Sequence, residues 1–232
     1  MKKVLLLMSI AFILSSCTSY SYYQVRKITT IPNPQIQEVS NGVFEDNNCK
    51  ITYNFWIESG EAGFLFYNKT NKNIYLNLGE CFYLYNNIAY NYYQNRTWDF
   101  RGYTQKEEQI VCIPPLKAKT IIEYNIDTNL YYDCDLVLFP NKKQIKTLYF
   151  TQETSPLIFG NIISYSVGKK DSIIKLENLF YVSEITNYPR EEMIGTKHES
   201  VCKNDYPIMS EYFKIYFPNG FYIKYYMKRE PF

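Results

Sequence analysis

The sequence is short of several residue types, and each shortage excludes something. It has one histidine, nine glycines and four alanines in 232 residues. The one imidazole, His198, lies in the polar stretch TKHES with no Gly-x-Ser-x-Gly turn anywhere to hold a nucleophile for it, so it reads as an exposed loop residue. Phosphate-loop and dinucleotide fingerprints are absent, as are the cofactors they bind. No CxxC pair occurs among the six cysteines, which excludes zinc-ribbon and thioredoxin-like readings. Charge of either sign is not in excess: the formal balance is +2, and no electrostatic footprint for nucleic acid exists. With so little alanine, helix signals are scarce.

What is abundant is apolar and aromatic material. Hydrophobic residues make up 46% and aromatics 18%, with 25 tyrosines, which is ample for one or two folded domains and rules out disorder. Many isoleucines and asparagines beside few alanines also look like an AT-rich coding bias, so tyrosine number alone argues for no ligand.

Residues 1–16 read as a signal peptide. Lys2 and Lys3 precede the apolar run Val4–Leu14, which is too short for the roughly 20 residues that span a bilayer. Leu14-Ser15-Ser16-Cys17 looks like a lipobox, whose cysteine is acylated by fatty acids such as palmitate and becomes the mature N-terminus. Removing Lys2 and Lys3 leaves 23 basic against 23 acidic residues. After Cys17 come Thr18 and Ser19, with neither the Asp of an inner-membrane retention signal nor an acidic surface-export run. An outer-membrane location on the periplasmic face is therefore expected, with surface exposure as the alternative. Residues 17–40 are polar, carry Pro32 and Pro34, show no sustained period and read as a tether.

The body is expected to be all-β. Cys49, Ile51, Tyr53, Phe55 and Ile57 alternate with polar partners, as half-buried strands require. So do Phe213, Ile215 and Phe217, and then Phe221, Ile223, Tyr225 and Met227, with the turn Pro218-Asn219-Gly220 suggesting one hairpin. Asn86-Asn87 separates another strand pair. Lys106–Glu108 and Pro189–Met193 each suit one helical turn, the second with proline leading. An immunoglobulin-like β-sandwich over 41–150 is favoured, with 151–232 a β-rich extension on the same body or a small second β unit. Thr151–Gly160 is the candidate boundary.

Five cysteines remain beside Cys17, namely Cys49, Cys81, Cys112, Cys134 and Cys202. An exported chain permits disulfides. Cys112 with Cys134 is the candidate bridge and Cys81 the candidate free thiol; the alternative is that all five are small buried hydrophobes.

Candidate chemistry is thin. Asp133-Cys134-Asp135 alternates carboxylates but lacks the further ligands of a calcium loop, so no metal site is expected. The adjacent pairs Glu107-Glu108 and Glu191-Glu192 would face opposite ways on a strand and cannot act together as glycosidase carboxylates. The expected final hairpin would present Tyr212, Tyr216, Tyr222 and Tyr226 with interleaved lysines, and Trp98 adds a ring elsewhere; such rings offer a sugar an apolar face and a polar tip. Outward Tyr/Lys pairs also stabilise a sheet with no ligand at all.

The stretches CKITYNFWIESGEAGFLFYNKTNKNIYLNL, VCIPPLKAKTII, YYDCDLVLF and FYVSEITNYP resemble the uncharacterised lipoproteins common in gut Bacteroides. Asp171-Ser172-Ile173 likewise resembles the O-glycosylation signal on exported proteins of that phylum, with Ser172 as acceptor. The resemblance implies an envelope lipoprotein with a β-rich body and carries over only Cys17. A non-catalytic structural or protein-interaction role is expected, with membrane contact through the lipid and envelope proteins as partners. The alternative is glycan binding through exposed aromatics.

Overall fold

Period-two alternation bounded by Asn- and Gly-rich turns builds strands, and the computed structural model of the chain is all-β. It describes residues 20–34, 36–40, 42–100, 102–168, 172–200 and 207–227. The strands are β1 (Ser21–Ile31), β2 (Gln37–Ser40), β3 (Val43–Glu45), β4 (Cys49–Thr52), β5 (Phe64–Asn68), β6 (Ile74–Asn77), β7 (Phe82–Tyr85), β8 (Ile88–Asn91), β9 (Thr97–Phe100), β10 (Tyr103–Lys106), β11 (Ile110–Ile113), β12 (Ala118–Ile121), β13 (Thr147–Tyr149), β14 (Ile158–Val167), β15 (Ile173–Pro189), β16 (Ile194–Ser200), β17 (Pro207–Phe213) and β18 (Gly220–Tyr226). One helical turn, α1 (Arg190–Met193), follows Pro189, which caps the turn rather than leading it. Lys106–Glu108 form no helix; β10 ends there.

Among the described residues nine strands make a large antiparallel sheet, along the path β11-β6-β14-β15-β1-β18, with β13 beside β15 and the β7–β8 hairpin on β14. Five more make a smaller sheet, β12-β5-β4-β3-β2. The sheets pack face to face, sandwich fashion: Phe44 of the smaller meets Phe180 of the larger edge to face at 5.7 Å, and Phe66 meets Tyr165 at 5.3 Å. One buried cluster runs through both, from Ile28 to Ile223. Each such ring or branched side chain contributes about 1.5–3 kcal/mol on leaving water. The expected faces hold over most of their length: Cys49, Ile51, Tyr53 and Phe55 are buried, although β4 ends at Thr52, and so are Phe221, Ile223 and Tyr225, but Ile57 and Met227 at the ends of these runs are exposed, because each lies beyond its strand.

Three expectations fail. Residues 17–40 are not a tether throughout, because β1 lies inside the larger sheet between β15 and β18. Its period is hidden because both faces are covered: Tyr23 and Val25 are buried on one, Gln24 and Arg26 on the other. Thr151–Gly160 separates no second core, since β14, β15 and β18 supply much of the larger sheet and feed the shared cluster. The last two strands are not a hairpin. β17 pairs with β16, while β18 pairs with β1 across some two hundred residues of chain, Ser21 opposite Tyr226.

Candidate functional site

The expected aromatic face is broken up by this pairing. Tyr222 turns its ring into a second small core with Tyr23, Val25, Met193 and Ile194, beneath the β16–β17 ribbon. Its centroid is 4.9 Å from Phe213 and 5.4 Å from Trp56, so the ring is used in packing. Tyr212 and Tyr216 are exposed on the covering segment, with Tyr216 only 5.6 Å from Trp56. Tyr226 sits at the far end of β18, and Trp98 lies on the separate β9–β10 ribbon, its side chain outside the described residues. What remains is a hollow of about 160 Å³ lined by Tyr23, Tyr212, Phe213 and Tyr222 with Glu58 and Lys224. The Trp56 indole N–H beside it is buried without an acceptor among the described residues.

A larger aromatic groove, about 330 Å³, lies elsewhere. The β7–β8 hairpin builds its floor. Asn86 and Asn87 both adopt positive φ, 44° and 67°, which is the two-residue turn geometry whose twist suits a hairpin. That turn sets Tyr83 directly opposite Tyr90. Tyr124, from the segment after β12, stacks on Tyr83 at 5.2 Å and lies 6.0 Å from Tyr90. The Tyr83 hydroxyl donates to the Ile126 carbonyl at 2.9 Å, and that of Tyr124 to the Asn91 carbonyl at 2.6 Å. The hydroxyls of Tyr85 and Tyr90 have no such partner among the described residues; Tyr90 is exposed and Tyr85 half-buried. Burial raises the Tyr83 hydroxyl far above its ordinary value; burial, then the Asp127 carboxylate, raises Tyr85. Both stay protonated, able to donate, at neutral pH.

Asp127 and Asn129 complete the wall, and a buried network holds them. Arg26 on β1 donates to Asp127 at 2.6 Å and to the Asn129 carbonyl. It also donates to Gln24 Oε1 at 3.0 Å, an atom that accepts from the Tyr131 N–H as well. Gln24 Nε2 donates to Asn187, whose amide reaches the Val137 carbonyl at 3.0 Å. A buried charge with this many partners is tolerated where an unpaired one is not.

The remaining sites are quickly placed. Cys112 and Cys134 are free and exposed, not bridged. Cys112 belongs to strands that end near Ile173, and Cys134 to the loop held on Gln24 near Asn187, at opposite ends of β15, far beyond disulfide reach. Cys49 and Cys81 are free too, so Cys81 is not singled out. Burial raises both thiols, Cys81 to about 12 and Cys49 higher, with Asp46 adding to the second; neither offers the thiolate a nucleophile needs. His198 is exposed on β16 opposite Met209, a strand rather than a loop. Asp133 caps its own turn, accepting from the Asp135 N–H and from the Tyr131 hydroxyl, and no cluster of three metal-ligating side chains occurs among the described residues. Ser172 is exposed just before β15; Cys17, Asp171 and Cys202 lie outside the described residues.

Nothing in the sequence marks Tyr83, Tyr85, Tyr124, Asp127 or Asn129 together as a site. Half of the signal was there: a two-residue Asn-Asn turn pairs Tyr83 with Tyr90 by counting alone. Tyr124 and Asp127 reach the groove only through tertiary contacts. Compared with known proteins, the chain matches no family model, no curated protein and no solved structure.

Proposed function

We propose that the chain is a non-catalytic lipoprotein of a bacterial cell envelope, of the Bacteroides type, anchored through Cys17 and serving a structural or protein-interaction role. The observation that carries the reading is the order Lys2-Lys3, Val4–Leu14, Leu14-Ser15-Ser16-Cys17, in which charge, apolar length, small residues and cysteine agree. The Thr18-Ser19 dipeptide supports the outer membrane and its periplasmic face. The raised thiols of Cys49 and Cys81 argue against those two as nucleophiles. Metabolic labelling with an alkyne fatty acid tests the anchor: label is expected on the wild type and lost in Cys17→Ala. Label retained by that variant overturns it.

A second reading, glycan binding, is favoured by one observation, the tyrosine groove. Its volume suits a sugar ring or two. Stacked rings supply an apolar platform, and the Tyr85 and Tyr90 hydroxyls supply hydrogen bonds. This moves the reading from the Tyr212–Tyr226 face to β7, β8 and Tyr124. A glycan array is expected to give hits that Tyr90→Ala removes. An array without hits, or hits unaffected by Tyr90→Ala but lost in Tyr212→Ala, ends it.

A further inference from the structure

We propose that the end of the sandwich nearest Cys17 seats directly on the bilayer interface, through Tyr20, Tyr132, Tyr226 and Met227, so that the larger sheet stands away from the membrane. The inference rests on the lipid-anchor reading and goes beyond it, since an anchor alone fixes no orientation.

The length of the tether carries it. With β1 starting at Ser21, only Thr18, Ser19 and Tyr20 separate the lipidated cysteine from the sheet. Fully extended, those steps reach about 14 Å at most. A partner domain does not fit in that gap, so whatever surface surrounds Ser21 faces lipid headgroups.

That surface has the chemistry of an interface. In register, Ser21 faces Tyr226, and Tyr22 faces Tyr225 on one side and Pro189 on the other. The Met227 N–H donates to the Tyr20 carbonyl at 3.2 Å. The loop carrying Tyr132 folds over the same end, where Phe139 packs on Tyr22 at 5.2 Å and Tyr225 donates to the Leu138 carbonyl. Four large side chains here remain in solvent: Tyr20 is 57% exposed, Tyr132 68%, Tyr226 50% and Met227 36%. Tyrosine concentrates at membrane–water interfaces because its ring enters the apolar edge while its hydroxyl stays wet. Charge at this end is of mixed sign: Lys142 is paired with Glu192 at 3.1 Å and Arg190 with Glu211, the Lys224 ammonium lies 5.5 Å from the Tyr226 ring centroid, and Asp133 and Asp135 are exposed nearby. The opposite end lies at Ile173, the start of β15, about 50 Å away along a 17-residue strand. Ser172, beside it, therefore points its end of the body away from the membrane.

The test uses the lipidated full-length protein in phosphatidylethanolamine/phosphatidylglycerol vesicles containing brominated lipid. Cys112, Cys134 and Cys202 are changed to Ser, and a fluorophore is attached through Met227→Cys or, separately, Ser172→Cys. Bromolipid is expected to quench the probe at 227 at least twofold more than that at 172, with little change on raising salt. Adding Tyr132→Ser and Tyr226→Ser should reduce the quenching at 227. Equal quenching at both positions, in protein that floats with the vesicles, overturns the docking while leaving the anchor intact. A probe at 227 shielded from aqueous iodide but not quenched by bromolipid assigns that end to a second copy of the chain and also overturns it. Failure to float, with no fatty-acid label on Cys17, removes the anchor itself and the proposal with it.

Discussion

Two tyrosine-rich hollows sit on this molecule, and they put the same residue to different uses. Beside β18, Tyr23 and Tyr222 are locked between Trp56 and Phe213 under the β16–β17 ribbon, and the rings serve packing. In the groove on β7 and β8, Tyr83 is buried and Tyr85 packs partly against the main core, while Tyr90 stays exposed. The difference teaches that a tyrosine-rich strand face is a binding surface only where tertiary structure leaves it uncovered. The groove wall, in turn, depends on a charge pair on the far side of β1.

The largest expected effect breaks that wall. Arg26→Ala strands Asp127 and removes the donor to the Asn129 carbonyl, and should cost about 3–5 kcal/mol in chemical denaturation, because one partner of a buried pair is left alone. A loss under about 1 kcal/mol would show that the pair does not pin the loop. Next comes Trp56→Ala, which removes the ring that four aromatic neighbours share; its half-buried position predicts a loss of about 2–3 kcal/mol. Circular-dichroism melts would measure it, and a loss no larger than that of Tyr90→Ala would erase the contrast between the hollows.

Alkaline titration is the third, smaller probe. Tyr83 and Tyr222 both have raised hydroxyl values in the folded chain, Tyr83 by much more, because burial disfavours the phenolate. The folded state therefore holds its protons after the unfolded chain has begun to lose them near pH 10. Stability from these groups is complete below that pH and falls as pH rises above it, by at most about 1.4 kcal/mol per pH unit for each group. Cys81, raised from 9.0 to about 12, adds the same trend from pH 9 upward. Denaturant midpoints should decline over this range, and Tyr83→Phe should flatten the decline more than Tyr222→Phe. Equal slopes would mean the two hollows are equally wet. The smallest effect is that of Tyr90→Ala on stability, within about 0.5 kcal/mol because the ring is exposed. A larger loss would show that this tyrosine also serves packing. Thiol counting adds a check on the core: native alkylation should reach Cys112 and Cys134 but not Cys49 or Cys81.

Much of the fold was legible residue by residue, and the reasons it was or was not are physical. Alternation in Cys49–Phe55 and in Phe221–Tyr225 named the buried side chains correctly, because period two is a local property of a strand. It failed for β1, where Gln24 and Arg26 are buried in a polar network and look like tether residues in the sequence. For β18 the alternation held but the partner did not: the neighbouring strand in sequence suggested a hairpin, whereas β18 pairs with β1. Of the candidate site, Tyr83 and Tyr90 were within reach through the Asn86-Asn87 turn, whereas Tyr124, Asp127 and Asn129 were not.

By itself the sequence determined the all-β class and the inward face of most strands, since each depends on neighbours a few residues away. Only the tertiary structure decided which strands pair, that the presumed tether is a central strand, and which tyrosines remain uncovered. Side-chain alternation tells a strand which way to face, but its backbone hydrogen bonds accept any partner with matching shape, and that choice is settled by burial summed over the whole sheet.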